Sequence, residues 1–109
     1  MFFSPEDFVL SLTEANVDST LAKEPLILVA FTATWCGHCK KLKPEYDRAA
    51  RRLLQLQNPI KLARVDATVE KELATRFDVK GYPTLILFRN GGIKRQAYKG
   101  KFILDSDLS

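Results

Sequence analysis

Residues 26–40 read LILVAFTATWCGHCK, and this stretch contains the features that decide the fold. Residues 26–31 form an unbroken apolar run, which is typical of a strand buried on both faces of a sheet. Cys36 and Cys39 follow closely, where the pattern changes to that of an amphipathic helix. The stretch therefore predicts a central strand that leads into a helix, with a C-x-x-C pair at their junction.

The predicted helix extends from about residue 36 to residue 56. Its apolar positions fall on one helical face: Leu42, Tyr46, Ala49, Ala50 and Leu53. The charged positions lie largely off that face and are expected to be solvated: Lys41, Lys43, Glu45, Asp47, Arg48, Arg51 and Arg52. Pro44 removes the backbone bond to the carbonyl of Lys40 and should bend the helix axis.

Strand-like and helix-like segments alternate along the rest of the chain, which predicts an α/β or α+β fold around one sheet. Further strands are predicted over residues 8–10, 60–65, 84–88 and 93–99, and 90–92 (Asn-Gly-Gly) predicts a hairpin turn. Thr13 is the predicted N-cap of a helix that ends near Lys23, and Thr68 that of a helix over 69–77. Residues 102–109 resemble the start of one more helix that stops early.

Length and composition indicate one domain over residues 1–109, with a packed core and a charged surface. The chain is 46% hydrophobic and 28% charged, which argues against disorder and against a collagen-like chain. Its longest apolar run is far below the roughly 20 residues that a membrane helix needs. The net charge of +4 arises from interspersed acids and bases, so we expect neither a membrane nor a nucleic-acid partner.

The two cysteines are better explained by chemistry than by architecture. A bridge between Cys36 and Cys39 closes a very short loop, worth about 2 kcal/mol at best in the entropy description. A structural zinc site needs four ligands, whereas the chain contains 2 cysteines and 1 histidine. A c-type haem site needs histidine directly after the second cysteine, where Lys40 stands. The sequence therefore predicts a redox pair without metal or other cofactor.

Helix geometry explains the spacing of that pair. At the first turn, the sulfur of Cys36 meets unpaired backbone N–H groups and the positive end of the helix dipole, so its pKa should be depressed. Cys39 lies on the same side of the helix and can attack a mixed disulfide formed at Cys36. Between them, Gly37 and His38 set the environment. A protonated His38 would stabilise the thiolate and make the pair more oxidising; otherwise it is a solvent-facing helix residue.

The sequence resembles the catalytic a-type domain of protein disulfide isomerases over essentially its whole length. The similarity is carried by residues 28–31, 35–40 and 44–46, and then by 65–68 (VDAT) and 81–84 (GYPT), in the order and at the distances typical of that family. The resemblance implies a thioredoxin fold of the α/β class, with a central mixed sheet in strand order 1-3-2-4-5 and helices on both faces. It also implies that residues 102–109 are a shortened form of the family's last helix.

The resemblance implies roles for particular residues. Cys36 would be the catalytic nucleophile and Cys39 the catalytic resolving cysteine. Pro83 would follow a cis peptide bond opposite the cysteines and, with Tyr82, bind substrate. Trp35 would pack beside the site, although by sequence alone a core tryptophan is as plausible. Lys101 would join Gly37 and His38 in redox tuning, at a position where the family has arginine.

Four positions depart from the family pattern, and one of them is Thr34, which replaces the usual proline before Trp35. Ala30 stands where the family commonly has a buried glutamate that accepts the proton of the resolving cysteine, and Arg64 stands where a lysine pairs with that glutamate. Lys101 is a more compact cation than the family's arginine. We therefore hypothesise that the pair is chemically competent but that its second step, release from the mixed disulfide, is slow.

The implied function is disulfide formation, reduction or rearrangement in cysteine-containing client polypeptides, with glutathione or an oxidase as redox partner. Residues 2–7 (FFSPED) do not predict a signal peptide, and 105–109 (DSDLS) are not a retention signal. The absence of both signals leaves a cytosolic protein or one domain cut from a longer chain, and from the resemblance alone we expect the second, a domain of the endoplasmic reticulum lumen. The rival hypothesis is a client-binding module with little turnover, because Ala30, Arg64 and Lys101 weaken proton handling.

Overall fold

Residues 8–98, which the computed structural model describes, contain five strands and three helices. In chain order these are β1 (Leu10–Ser11), α1 (Val17–Lys23), β2 (Leu26–Thr32), α2 (Gly37–Gln55), β3 (Lys61–Asp66), α3 (Lys71–Arg76), β4 (Thr84–Arg89) and β5 (Lys94–Ala97). The predictions for Lys101 and for a shortened helix over 102–109 fall outside the described residues.

The strands form one mixed sheet in the order β1-β3-β2-β4-β5, as predicted. β2 lies at its centre, parallel to β3 and antiparallel to β4, and its five middle residues are buried. β1 extends the sheet parallel to β3, while β5 pairs antiparallel with β4. The apolar run that begins at Leu26 is therefore the central strand, because only a strand covered on both faces buries side chains of both parities.

Helices cover both faces of the sheet, which confirms the predicted layers. On one face, α1 and α3 pack Val17, Leu21 and Leu73 against the sheet. On the other, α2 packs its predicted apolar stripe: Tyr46, Ala49, Ala50 and Leu53 are buried, and Leu42 is partly buried. No helix within residues 8–98 is long and apolar enough to span a bilayer.

The predicted starts of two helices are wrong. α1 begins at Val17 rather than after Thr13, whose hydroxyl instead accepts the N–H of Ala15 at 3.2 Å in the preceding turn. α3 begins at Lys71, and Thr68 donates its N–H to the carboxylate of Asp66 at 3.0 Å rather than capping the helix. In both cases a short polar side chain stabilises a turn that delays the helix.

The strand predictions hold more closely. β3 and β4 each lie within one residue of their predicted bounds, whereas β1 is shorter and begins at Leu10 instead of Phe8. The predicted hairpin turn joins β4 to β5. Asn90, Gly91 and Gly92 all adopt positive φ, at 54°, 69° and 88°, a conformation that glycine and asparagine tolerate best.

Candidate active site

Cys36 is the N-cap residue of α2, at the junction predicted from the sequence. Its backbone is extended and its sulfur accepts the N–H of Cys39 at 3.1 Å, one of the N–H groups left unpaired by the first helical turn. The two cysteines form a disulfide with Cα atoms 5.2 Å apart, and both are buried. The helix start therefore brings the second cysteine to the first and directs a backbone donor at the first sulfur.

An aromatic surface lies beside the disulfide. Tyr82 packs against the small cluster formed by Ala33 and the two cysteines, and the peptide bond between Tyr82 and Pro83 is cis, as the resemblance implies. Trp35 is 71% exposed and meets the ring of Tyr82 edge-on, with centroids 5.7 Å apart. The core-tryptophan alternative is therefore wrong. We call Trp35, Tyr82 and Pro83 the front surface.

The two residues between the cysteines are both exposed to solvent. A β-carbon added at Gly37 would meet nothing within 4 Å, so packing does not require glycine there. His38 lies in the first turn of α2, two residues after the cysteine that it is predicted to tune. Its tuning role stays a prediction, as does that of Lys101.

A cavity of about 240 Å³ opens behind Cys39, and we call it the rear cavity. Helix α2, strands β2 and β3 and the segment after β2 supply its lining: Ala30, Thr32, Ala33, Thr34, Cys39, Lys40, Leu42, Lys43, Tyr46, Arg64 and Asp66. Ala30 and Arg64 are register neighbours on β2 and β3, so these two departures from the family pattern meet in this cavity. The small side chain of Ala30 places no acid or base next to Cys39.

Asp47 contradicts the prediction that the charges of α2 are solvated. Its side chain is 8% exposed, and its two oxygens accept bonds from Lys43 at 3.0 Å and from Arg64 at 3.3 Å. A buried carboxylate persists when cations and hydrogen bonds compensate it. The sequence carried one signal of this arrangement, since Lys43 and Asp47 are four residues apart on the helix; the contribution of Arg64 depends on the tertiary fold.

Tyr46 fastens α2 to the two central strands. Its hydroxyl lies 2.8 Å from the carbonyl oxygens of Leu28 and Ala63 and donates its one proton to either of them. Burial raises the pKa of Tyr46 well above its usual range, so the hydroxyl remains a neutral donor. Tyr46 thereby fixes the helix that carries Cys39 and Asp47.

The mixed sheet, the covering helices and the cysteine pair at a helix start define a thioredoxin-fold domain with a disulfide-forming C-x-x-C site. The chain belongs to the thioredoxin family, whose family model, described as Thioredoxin, matches residues 8–107.

Relatives within this family are protein disulfide isomerases. The chain is 55% identical to mouse protein disulfide-isomerase A4 over 87 residues, which are 80% of this chain and 14% of that protein. It is 53% identical to a protein disulfide-isomerase of Ricinus communis over 94 residues, 84% of this chain and 19% of that one. The chain thus spans less than a fifth of either relative.

A solved structure leads to the same group of proteins. The first thioredoxin domain of mouse protein disulfide-isomerase A4 superposes with a TM-score of 0.77 at 40% identity, covering 87% of this chain and 66% of that one. The predicted resemblance and the predicted thioredoxin fold are therefore confirmed.

Proposed function

We propose that this domain catalyses thiol–disulfide exchange in client polypeptides in the manner of a protein disulfide isomerase. The observation that carries the proposal is the Cys36–Cys39 disulfide at the N-cap of α2, with a backbone N–H directed at the sulfur of Cys36. A thiolate formed at Cys36 would keep that donor and the positive helix end, both of which favour the charged form.

In the reductive direction, the Cys36 thiolate attacks a client disulfide, so that a Cys36–client bond forms and the client disulfide breaks, releasing one client thiolate. The Cys39 thiolate then attacks the sulfur of Cys36, forming the Cys36–Cys39 disulfide and releasing the second client thiolate. Two electrons pass from the cysteine pair to the client. Disulfide formation is the reverse sequence, and rearrangement uses the first step alone followed by attack from another client cysteine.

The client is proposed to bind at the front surface. Trp35 offers an exposed ring next to Cys36, and Tyr82, which precedes Pro83 on the neighbouring loop, packs against the cysteine pair. Exposed aromatic side chains bind unfolded polypeptides by burying area at low entropic cost. Gly37, His38 and Lys101 are proposed to tune the potential of the pair.

The redox partner is proposed to be glutathione or an oxidase, because the Cys36–Cys39 pair must be recharged after each turnover. We also propose that the protein works in the endoplasmic reticulum lumen, as one domain of a longer chain. Its similarity to protein disulfide isomerases supports that location, as does the persistence of disulfides in that compartment.

One observation keeps a second candidate in view. Ala30 supplies no carboxylate from β2 at the position where the family has its proton acceptor, so release could be slow enough for the domain to act as a client-binding module. Such a binder would form the mixed disulfide at Cys36 without cycling.

Paired kinetic assays test the proposal. A quenched peptide disulfide is followed under single-turnover conditions and in the steady state with glutathione, using Cys36→Ser and Cys39→Ser as controls. We expect rapid mixed-disulfide formation and repeated turnover by the wild type, trapping by Cys39→Ser and no reaction with Cys36→Ser. A wild-type protein that stops after one mixed disulfide would instead be the binding module.

A further inference from the structure

The rear cavity and the buried Asp47 adjoin one another through shared residues. Lys43 and Arg64 line the same cavity as Cys39, and both cations also bond to the carboxylate of Asp47. Among the residues described, Asp47 is the only charged side chain in the buried class. The mechanism proposed above does not use this carboxylate.

We propose that Asp47 is a positioning residue for the second step, acting through Lys43 and Arg64 on the thiolate of Cys39. This inference rests on the proposed function, because it concerns the release of a client from Cys36. It assigns Asp47 the task of keeping two cations at the wall of the rear cavity.

Distances decide that Asp47 acts through its partners rather than directly. Cys39 and Asp47 are eight residues apart on α2, which is about 12 Å along the axis. Lys43 lies midway, four residues from each of them, and Arg64 reaches Asp47 from β3. The two cations, rather than the carboxylate of Asp47, therefore share the wall of the rear cavity with Cys39.

Three cations and one carboxylate line the rear cavity together with Cys39, and this excess of positive charge favours the ionised form of its thiol. From α2 come Lys40, Lys43 and the neutral Tyr46, and from β3 come Arg64 and Asp66. The β2 residues that line the cavity, Ala30 and Thr32, carry no charge. Cations near a thiol lower its pKa, and the Cys39 thiolate is the nucleophile of the release step.

Asp47 keeps those cations in place. The Lys43 side chain is 48% exposed and that of Arg64 25%, so each has room to turn further towards water when its bond to Asp47 is lost. Each bond to a fixed group restricts a long, rotamer-rich side chain, so the loss of one such bond increases the number of positions it adopts away from the wall. Asp47 opposes this with one bond to each cation, from a carboxylate fixed on the helix that carries Cys39.

The substitution Asp47→Asn tests the proposal, because the direction in which it changes the release rate distinguishes two explanations. If Asp47 acted only as a nearby negative charge, removing it would lower the pKa of Cys39 and speed release. If it positions the cations, its removal raises that pKa and slows release by about threefold to tenfold at pH 7, since one pKa unit is a tenfold change in thiolate. The charge-only role and the positioning role thus predict opposite changes in the release rate.

The experiment follows release of a fluorescent peptide from a preformed mixed disulfide at Cys36, from pH 5 to 10. We expect slower release by Asp47→Asn, with the inflection of the pH profile moved upward and recovery in Asp47→Glu. Attack by Cys36 on a peptide disulfide, the first step, should stay within about twofold of wild type, because the helix start is unchanged. Asp18→Asn, which removes an exposed ion-paired carboxylate, is the matched control.

Unchanged or faster release by Asp47→Asn overturns the inference, and so does slower release with an unmoved inflection. If Asp47→Asn does not fold by circular dichroism, Lys43→Met decides: slower release with an upward inflection supports the role, and any other result removes it. Failure of the wild-type protein to form the mixed disulfide would instead overturn the proposed function.

Discussion

The front surface and the rear cavity flank the same disulfide but are built in opposite ways. At the front, Trp35 is exposed and the neighbouring residues, Tyr82 and Pro83, are uncharged. At the rear, Lys43 and Arg64 form an ionic cluster around the buried carboxylate of Asp47. This difference agrees with the two roles proposed above, contact with a large client at the front surface and control of the charge on one sulfur atom at the rear cavity.

The largest effect on the exchange rate should come from loss of the Cys36 sulfur, which lies between the front surface and the rear cavity. Cys36→Ser removes the nucleophile, so exchange with a peptide disulfide should fall to the uncatalysed rate. Cys39→Ser should retain the first step and accumulate the mixed disulfide, measurable by mass spectrometry. Measurable turnover by Cys36→Ser would break the comparison, since Cys39 would then act from the rear.

A hydroxyl at the rear should matter more for stability than one at the front. Tyr46→Phe removes the hydroxyl that donates its proton to the carbonyl oxygen of Leu28 or Ala63, and the loss of one buried hydrogen bond costs about 0.5–1.5 kcal/mol. Tyr82→Phe, at the front surface, is the matched variant and should cost less than about 0.5 kcal/mol, as most partly exposed substitutions do. Urea unfolding of both variants measures the difference, and equal losses would contradict it.

A carboxylate introduced at position 30 of β2, in the rear cavity, should speed release of the client. Ala30→Glu would place a proton acceptor in the rear cavity, beside Cys39 and Arg64, and we expect release about tenfold faster, below the full effect of an aligned general base. Ala30→Gln has the same shape without the charge and should not accelerate the step. An unchanged rate in Ala30→Glu would argue against the hypothesis that the second step is slow for want of a base.

Loss of the exposed Trp35 ring at the front surface should slow formation of the mixed disulfide without changing the release step. Trp35→Ala should slow mixed-disulfide formation with a peptide client about threefold, the scale of one aromatic contact. Its unfolding free energy should change by less than about 0.5 kcal/mol. Ile93→Ala, at the far end of β4, removes another exposed apolar side chain and serves as the control. A slower release step in Trp35→Ala would show that front and rear are not separate.

The smallest effect is expected outside both regions, at the exposed ion pair between Asp18 and Arg76, and it shows how much one surface ion pair contributes to stability. The guanidinium of Arg76 lowers the pKa of Asp18, so the pair stabilises the fold above the unfolded pKa of about 3.9 and loses this contribution as the pH falls through the folded pKa. Asp18→Asn should therefore shift the urea midpoint slightly at pH 7 and not at pH 2. A shift that persists at pH 2 would mean that the carboxylate's charge is not responsible.

The sequence predicted the fold well where apolar pattern and backbone chemistry coincide. The run that begins at Leu26 became the buried β2, and Asn90-Gly91-Gly92 became the hairpin turn. It was less accurate at helix starts such as Val17 and Lys71, because Thr13 and Thr68 use their polar groups in turns. Local side-chain bonds of that kind compete with capping, and composition alone does not decide between them.

By itself, the sequence determined the strand-to-helix junction and the spacing of Cys36 and Cys39, because both depend on residues that are close along the chain. Only the tertiary structure decided that Trp35 lies in solvent and that Asp47 is buried against Arg64. Charged residues on a helix are solvated by default, and a neighbouring strand reverses that outcome when it brings a cation across 17 residues of sequence. The physical reason is that burial of a charge depends on partners in space, whereas the start of a helix depends on its neighbours in the chain.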